Sequence, residues 1–350
     1  MSGTWYYVFT LVFFFFDYFI LAMGLNIQYG ETGILNFAYI GFVAIGAYMT
    51  GVLSLPSSAG TGQYYILGLS LPFPVNLLLG GLSASAFAVL VALIALRRLR
   101  TDYLAMVLIS LSLVLYDISN NYVPLFNGAD GLYNVPEPFA GALHLNTNSF
   151  IPVFAGVTGA IALLLWFVMS RVTRSPAGRT FRAIRDDDVV AAALGKDVFR
   201  QQLKSMIIGS FYAGIGGGLL IQFSGSFNPT AWLPGETFVV FAVILVGGVG
   251  NNIGLIVGSL LVETLLVHLP AFLPAIPGAP GLIEYFDAVV VGALLMAMLW
   301  FRPQGIVPER VRKAARMGAR ERPADGPGGL VGEDVAALAP AGARAGGRAR

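Results

Sequence analysis

Apolar residues fill this chain in long runs separated by short polar segments. The runs lie near 4–25, 33–54, 75–96, 103–120, 150–170, 205–223, 237–250, 253–270 and 282–301. A helix needs about 20 apolar residues to cross roughly 30 Å of hydrocarbon, so each run reads as one span. The pattern predicts an all-α polytopic membrane protein of about nine transmembrane helices, within a range of about eight to ten. The range stays open because residues 61–74 (TGQYYILGLSLPFP) leave room for a short re-entrant piece.

The polar segments carry the orientation. Arg97, Arg98 and Arg100 form one basic block, the segment from Arg171 to Lys204 holds eight of the 21 Lys and Arg, and the other ten lie from Arg302 onward. Membrane proteins confine basic residues to short segments on the cytoplasmic side. All three blocks are therefore expected in the cytoplasm, and 120–149, which has no Lys or Arg, outside. The same count puts 224–236, 269–281 and the N-terminus outside, and the C-terminus inside. The opening MSGTWYYVFTLVFFFF has neither a basic n-region nor a small-residue cleavage site, so it reads as the first span rather than a cleaved signal.

Composition narrows the class. With 56% hydrophobic and 11% charged residues, and a mean hydropathy of +0.75, the chain is no soluble globule, whose charged share is about 25%. The net charge of +2 gives nucleic-acid binding no support, because ten of the basic residues belong to the last block. Absence of cysteine excludes disulfides, thiolate metal sites and a cysteine nucleophile. Two units are expected: a transmembrane domain over 1–308, and a tail over 309–350 that is rich in Ala, Gly, Arg and Pro and too poor in large apolar residues to order itself. That tail reads as a solvated cytoplasmic end.

The loop 171–204 has its own architecture. Ser175-Pro176 opens a short helix to about Arg185, with serine as N-cap and proline at the first helical position. Asp186, Asp187 and Asp188 place negative charge at the start of a second helix, DDDVVAAAL, and Gly195 stops it. Ala191, Ala192 and Ala193 give that helix a narrow, smooth face suited to the groove of another protein. A plain solvated loop is the alternative.

These residues resemble a known family. SPAGRTFRAIRDDDVVAAALGKDVFRQQLK is similar to the cytoplasmic loop of the permease subunits of branched-chain amino acid ABC importers of the LivH/LivM type. LRTDYLAMVLISLSLVL (99–115), FNGADGLYNVP (126–136), LVGGVGNNIGLIVGSLLVE (245–263) and WFRPQGIVP (300–308) match further stretches of that family in order. The resemblance covers roughly 18–308. It implies that the loop contacts a separate ATP-binding subunit through Gly178, Arg182, Ala183, Arg185, Asp187, Ala191, Ala192, Leu194 and Gly195, with Arg182 and Arg185 suited to pair with carboxylates of that partner. It also implies a second permease subunit, the same or different, and an external substrate-binding protein. ATP would be bound by the partner, and this chain would need no cofactor.

A second segment, Tyr29 to Gly51, interleaves glycines with Glu31, Thr32 and Asn36. Irregular backbone at membrane depth survives only where protein or a water-filled cavity covers it, so a broken helix lining a path is expected. Gly30, Gly33, Asn36, Phe37, Gly41 and Gly46 are the candidate path residues, against the equal reading that the glycines only let helices approach closely. M-type members of the family carry Ser-x-Gly-His where this chain reads Asn36-Phe37-Ala38-Tyr39, which is closer to the H-type wording. Gly214 and Gly218, and Gly250, Gly254 and Gly258, read as packing positions.

Carboxylates inside spans are costly and mark cavities or partners. Asp17, Asp117, Glu263, Glu284 and Asp287 fall in or at the ends of spans that hold no basic residue. Asp17 and Glu263 are the candidates to attract a substrate ammonium or hold water in the path; a protonated structural carboxyl is an equal reading. His144 and His268 are too far apart in sequence to suggest a metal site, and no Walker motif or nucleophile-base arrangement is visible. The reading is a permease subunit of an ABC importer for branched-chain or other apolar amino acids, in the bacterial cytoplasmic (inner) membrane, with no enzymatic activity of its own. A urea or amide permease of the same family, an ion-coupled secondary transporter and a membrane enzyme are the alternatives.

Overall fold

Backbone polar groups in hydrocarbon must be satisfied within their own segment, which is why long apolar runs fold as helices. The computed structural model describes residues 3–58, 62–97, 101–139, 147–267, 282–302 and 304–308, and its regular elements are all helical. The expectations for the tail, for Arg98 and Arg100, for 269–281 and for the two histidines, as well as for the side chains of Glu284 and Asp287, fall outside the described residues.

Among the described residues five helices are long and apolar enough to cross a bilayer: α1 (Gly3–Asn26), α3 (Val75–Ala95), α4 (Thr101–Asn121), α6 (Thr147–Arg174) and α9 (Val198–Ser224). Between α4 and α6 lies the one-turn α5 (Val123–Phe126). Shorter apolar helices occupy other expected spans: α2 (Tyr39–Ser54), α10 (Glu236–Gly247) and α11 (Gly254–Gly258), which runs on as a π-helix over Ser259–Val267. The last is α12 (Leu282–Phe301). Residues 62–74 contain no helix, so no re-entrant helix forms there; Ser70 and Leu71 instead return their N–H groups to Leu55 and Leu53.

The centre of the bundle is α9. Of its most apolar window 72% is buried, against 22% for α4, so α9 is core and α4 lies at the periphery. Small residues let its neighbours approach: a Cβ on Gly46 of α2 would collide with the Gly214 backbone, and one on Gly214 would lie 2.8 Å from Gly81 of α3. Gly254 and Gly258 meet α10 at Gly247 and Val243 in the same way. The packing read from sequence is thus within the chain at Gly214, Gly218, Gly254 and Gly258, where the sequence left contact with a second subunit open. Phe13 of α1 stacks on Phe223 of α9 at 3.9 Å between ring centroids, and on Phe154 of α6 at 5.8 Å.

The described parts of the three basic blocks, Arg97, the segment 171–204 and the chain at Arg302, meet at one face. Arg97 lies over the Phe199 ring at 5.1 Å, Asn252 beside α10 reaches Thr173 of α6 at 3.5 Å, and Val307, after Arg302, donates its N–H to Gly247 at 3.0 Å. On the opposite face Leu132 and Phe227 exchange backbone hydrogen bonds at 2.9 and 2.7 Å. This short bridge ties the turn after α5 to the segment after α9.

Candidate functional site

The loop on the basic face folds as two short helices, α7 (Pro176–Asp186) and α8 (Asp188–Ala193). Pro176 begins α7 as expected, but Ser175 does not cap it with its side chain. Its hydroxyl donates instead to Val172 O at 2.6 Å, closing the end of α6. Gly178 is buried where a Cβ would strike the Thr173 carbonyl, so it sets the tight angle between α6 and α7 rather than offering a surface. Phe181 and Ile184, three apart, bury one stripe of α7 against the bundle.

Asp187 caps α8: its Oδ1 accepts from Val190 N at 2.9 Å. Gly195, at φ +78°, ends it, with its own N–H on Ala192 O and the Lys196 N–H on Ala191 O. The face of α8 differs from the expected alanine strip. Ala191 is buried, while Ala192 and Ala193 are exposed beside Val189, Val190 and Leu194, of which Val189 and Leu194 are 74% and 75% exposed. These exposed aliphatic side chains stand among charged neighbours, Asp186, Asp187, Asp188 and Lys196. Ala183, Asp187 and Gly195 are exposed beside them.

Two of the three arginines of α7 turn inward, while Arg179 stays exposed. Arg182 donates through Nη1 to Glu31 Oε2 at 2.7 Å and to Thr173 O at 3.3 Å. Arg185 donates through Nη1 to Gly30 O, and its stem packs where Gly33, at φ +80°, has no side chain. Glu31 is only 2% exposed. A carboxylate buried so far needs a cation, and Arg182 supplies it. The arginines read from sequence as partners for another subunit's carboxylates are thus engaged within the chain. They tie α7 to the break after α1.

That break is a π-helical turn, Ile27–Glu31, followed by irregular chain over 33–38. Its polar groups find partners. Asn36 donates to Gln28 Oε1 at 2.8 Å and its own Oδ1 accepts from Ala38 N at 3.1 Å. Gln28 donates to Met206 O at 3.2 Å, and Thr32 to Ser205 Oγ at 2.9 Å, both on α9. The start of α2 meets the start of α10, where Ile40 N donates to Thr237 Oγ1 at 3.2 Å. Twelve residues give α10 a length of about 18 Å, short of the roughly 30 Å of hydrocarbon. Its far end lies on the basic face at Gly247, so its start, where it meets α2, stands about 18 Å from that end.

Of the six candidate path residues, Gly41 lines the cavity described below. Gly30 abuts Asn26 and Gly250, Gly33 abuts Arg185, Asn36 belongs to the buried network, Phe37 packs on Phe238 and Phe241, and Gly46 packs on α9. Asp17 and Glu263 do not line it either; they are buried between α1 and the π-helix 259–267, close enough for their charges to interact. The cavity itself, of about 280 Å³, lies between α2, α4 and the segment after α9. Tyr48, Phe126, Phe227 and Trp232 form its aromatic wall, and Ser112 and Ser119 its polar spots. Sequence reasoning missed these residues, although Ser112, Tyr116 and Ser119 share one face of α4 at helical spacing.

Residues 7–299 match the family model described as branched-chain amino acid transport system / permease component. The chain is similar to the high-affinity branched-chain amino acid transport system permease protein LivM of Escherichia coli (strain K12), 28% identical over 83% of this chain and 68% of that protein. It is similar also to the probable LivM permease of Methanocaldococcus jannaschii, 27% identical over 84% of this chain and 91% of the relative. LivH of E. coli K12 is 27% identical, over 83% and 91%. No solved structure matches. A match over this much of its length makes the chain a member of the branched-chain amino acid transport permease family.

Proposed function

We propose that this chain is the membrane-spanning permease subunit of an ABC importer that moves branched-chain amino acids inward across the bacterial inner membrane. The observation that carries the coupling is the double tie of Arg182 to Glu31 and Arg185 to Gly30. It makes α7 one mechanical unit with the break between α1 and α2, so a push on the basic face reaches backbone at membrane depth. The basic face is the cytoplasmic one by the charge rule, which leaves the N-terminus outside. There the exposed aliphatic residues of α8 receive the ATP-binding subunit, and ATP is bound and hydrolysed by that subunit alone. The bridged loops of the opposite face meet the external binding protein, and a second permease subunit completes the path.

Reconstitution tests this reading. Vesicles holding this chain, its permease partner and the ATP-binding subunits should accumulate leucine, isoleucine or valine from loaded binding protein only with ATP inside. Leu194→Asp should abolish co-purification of the ATP-binding subunit while the permease stays monodisperse. Uptake without ATP-binding subunits, or uptake of urea and not of leucine, would overturn the proposal.

A further inference from the structure

The cavity between α2, α4 and the segment after α9 has three properties that together name an occupant. Its size, about 280 Å³, lies at the small end of ligand sites, right for a solute of amino-acid dimensions rather than an oligosaccharide. Among the described residues no charged side chain lines it, so a charged side chain on the solute would find no counter-ion there. And three buried polar groups in its wall make no hydrogen bond among the described residues: Ser112 Oγ, Ser119 Oγ and Trp232 Nε1.

The third property is the unusual one. Serines inside apolar helices ordinarily return their hydroxyl to a carbonyl one turn back. Ser110, on the same helix, does so with Met106 O at 3.0 Å, and Ser85 on α3 with Gly81 O at 3.1 Å. Ser112 and Ser119 do not, although they are only 1% and 8% exposed. An orphaned buried hydroxyl costs about 1–3 kcal/mol, which a ligand hydrogen bond would recover. The neighbouring Tyr48 hydroxyl, by contrast, is already donated to Leu125 O and only shapes the wall.

We propose that this cavity is a side-chain subsite of the transport path. It holds the uncharged aliphatic end of the solute against Leu115, Phe87 and Met49, while Ser112, Ser119 and Trp232 bond its polar end. Seven residues separate the two serines, about 10 Å along a helix, so one small solute uses them in turn. Ser119, near the end of α4 that packs on the Pro229–Trp232 turn, is met first, and Ser112, whose hydroxyl lies beside Gly41, second. The proposal rests on the cargo reading above.

Changing the cavity's volume in both directions tests it in the complete reconstituted importer. Ala44→Val and then Ala44→Phe, which fill the space, should lower the leucine-to-valine uptake ratio stepwise, by about 10-fold at the larger substitution. Leu115→Ala, which enlarges it, should raise phenylalanine uptake relative to leucine. A structural lesion alone lowers all solutes alike, and misfolding cannot produce the gain. If the wild-type importer takes up leucine and these ratios stay unchanged in all three variants, the subsite is wrong and the cargo reading stands. If the wild type takes up no branched-chain amino acid, both fall together.

Discussion

The segment from Gln28 to Gly51 takes part in two regions that treat buried polarity in opposite ways. Toward the basic face, Glu31 has Arg182, Asn36 has Gln28, and Thr32 has Ser205, each at ordinary hydrogen-bond distance. Toward the opposite face, Ser112 and Ser119 line an open apolar space with no such partners. A satisfied buried network has one low-energy arrangement and moves as a body. Orphaned groups beside a cavity gain by changing their surroundings. The first region is therefore built to carry a displacement and the second to accept a guest. The short helix α2 connects them, beginning beside Thr237 and ending past Tyr48.

The largest test of this contrast removes the cation. Arg182→Ala removes the 2.7 Å ion pair to the buried Glu31 carboxylate, at a cost of about 3 kcal/mol, the low end for a broken buried pair because Arg182 is about one-third exposed. The midpoint of unfolding in nanodiscs should fall, and uptake with it. The double variant Glu31→Gln with Arg182→Met should regain most of the stability, since replacing a buried pair by neutral groups is often nearly free. It should not regain uptake, because the tie to α7 is gone. Full recovery of both would reduce the ion pair to a packing element.

Much of this arrangement was legible in the chain, and the part that was not has a physical reason. The basic blocks, the break near Gly30–Gly33, the capped α8 and its stop at Gly195 are local patterns, readable from a few neighbouring residues. The Arg182–Glu31 pair spans 151 positions, and no periodicity connects two segments that far apart. The charges themselves misled: arginines in an exposed loop read as outward-facing, whereas Glu31, next to a turn on the same face, was the nearer partner. Ala191 was misplaced because a six-residue helix buries one side whatever its composition. The cavity escaped for another reason. Its walls come from several separate stretches of chain, among them α2, Ile66, Phe87 of α3, α4 and the segment after α9, and an emptiness leaves no mark on any one of them beyond polar side chains such as those at positions 112 and 119.

A middle-sized effect is expected inside the network. Asn36→Leu removes the donor to Gln28 Oε1 and the acceptor for Ala38 N in one step, leaving two buried groups unpaired. A loss of about 1–2 kcal/mol should follow, read as a lower unfolding midpoint. Hydrogen exchange at residues 33–38 should rise by a matching factor, about 5- to 30-fold if the segment opens locally. Unchanged protection would mean that the extended segment is held by its neighbours' packing and not by its own polar contacts.

The smallest effect is the most discriminating, because it compares one substitution at two sites. Ser85→Ala deletes a hydroxyl that bonds Ile207 O of α9 at 3.1 Å, and should cost about 1 kcal/mol. Ser112→Ala deletes a hydroxyl that is buried without a partner, so stability should not fall and should rise by about 1 kcal/mol, the low end of what an orphaned hydroxyl costs. Both helices keep their shape, since alanine is the better helix former. Paired unfolding curves in the same nanodiscs suffice to separate the two. Equal losses would mean that Ser112 is bonded in the folded protein, and the contrast between a satisfied network and an open, unsatisfied cavity would then fail at its weaker end.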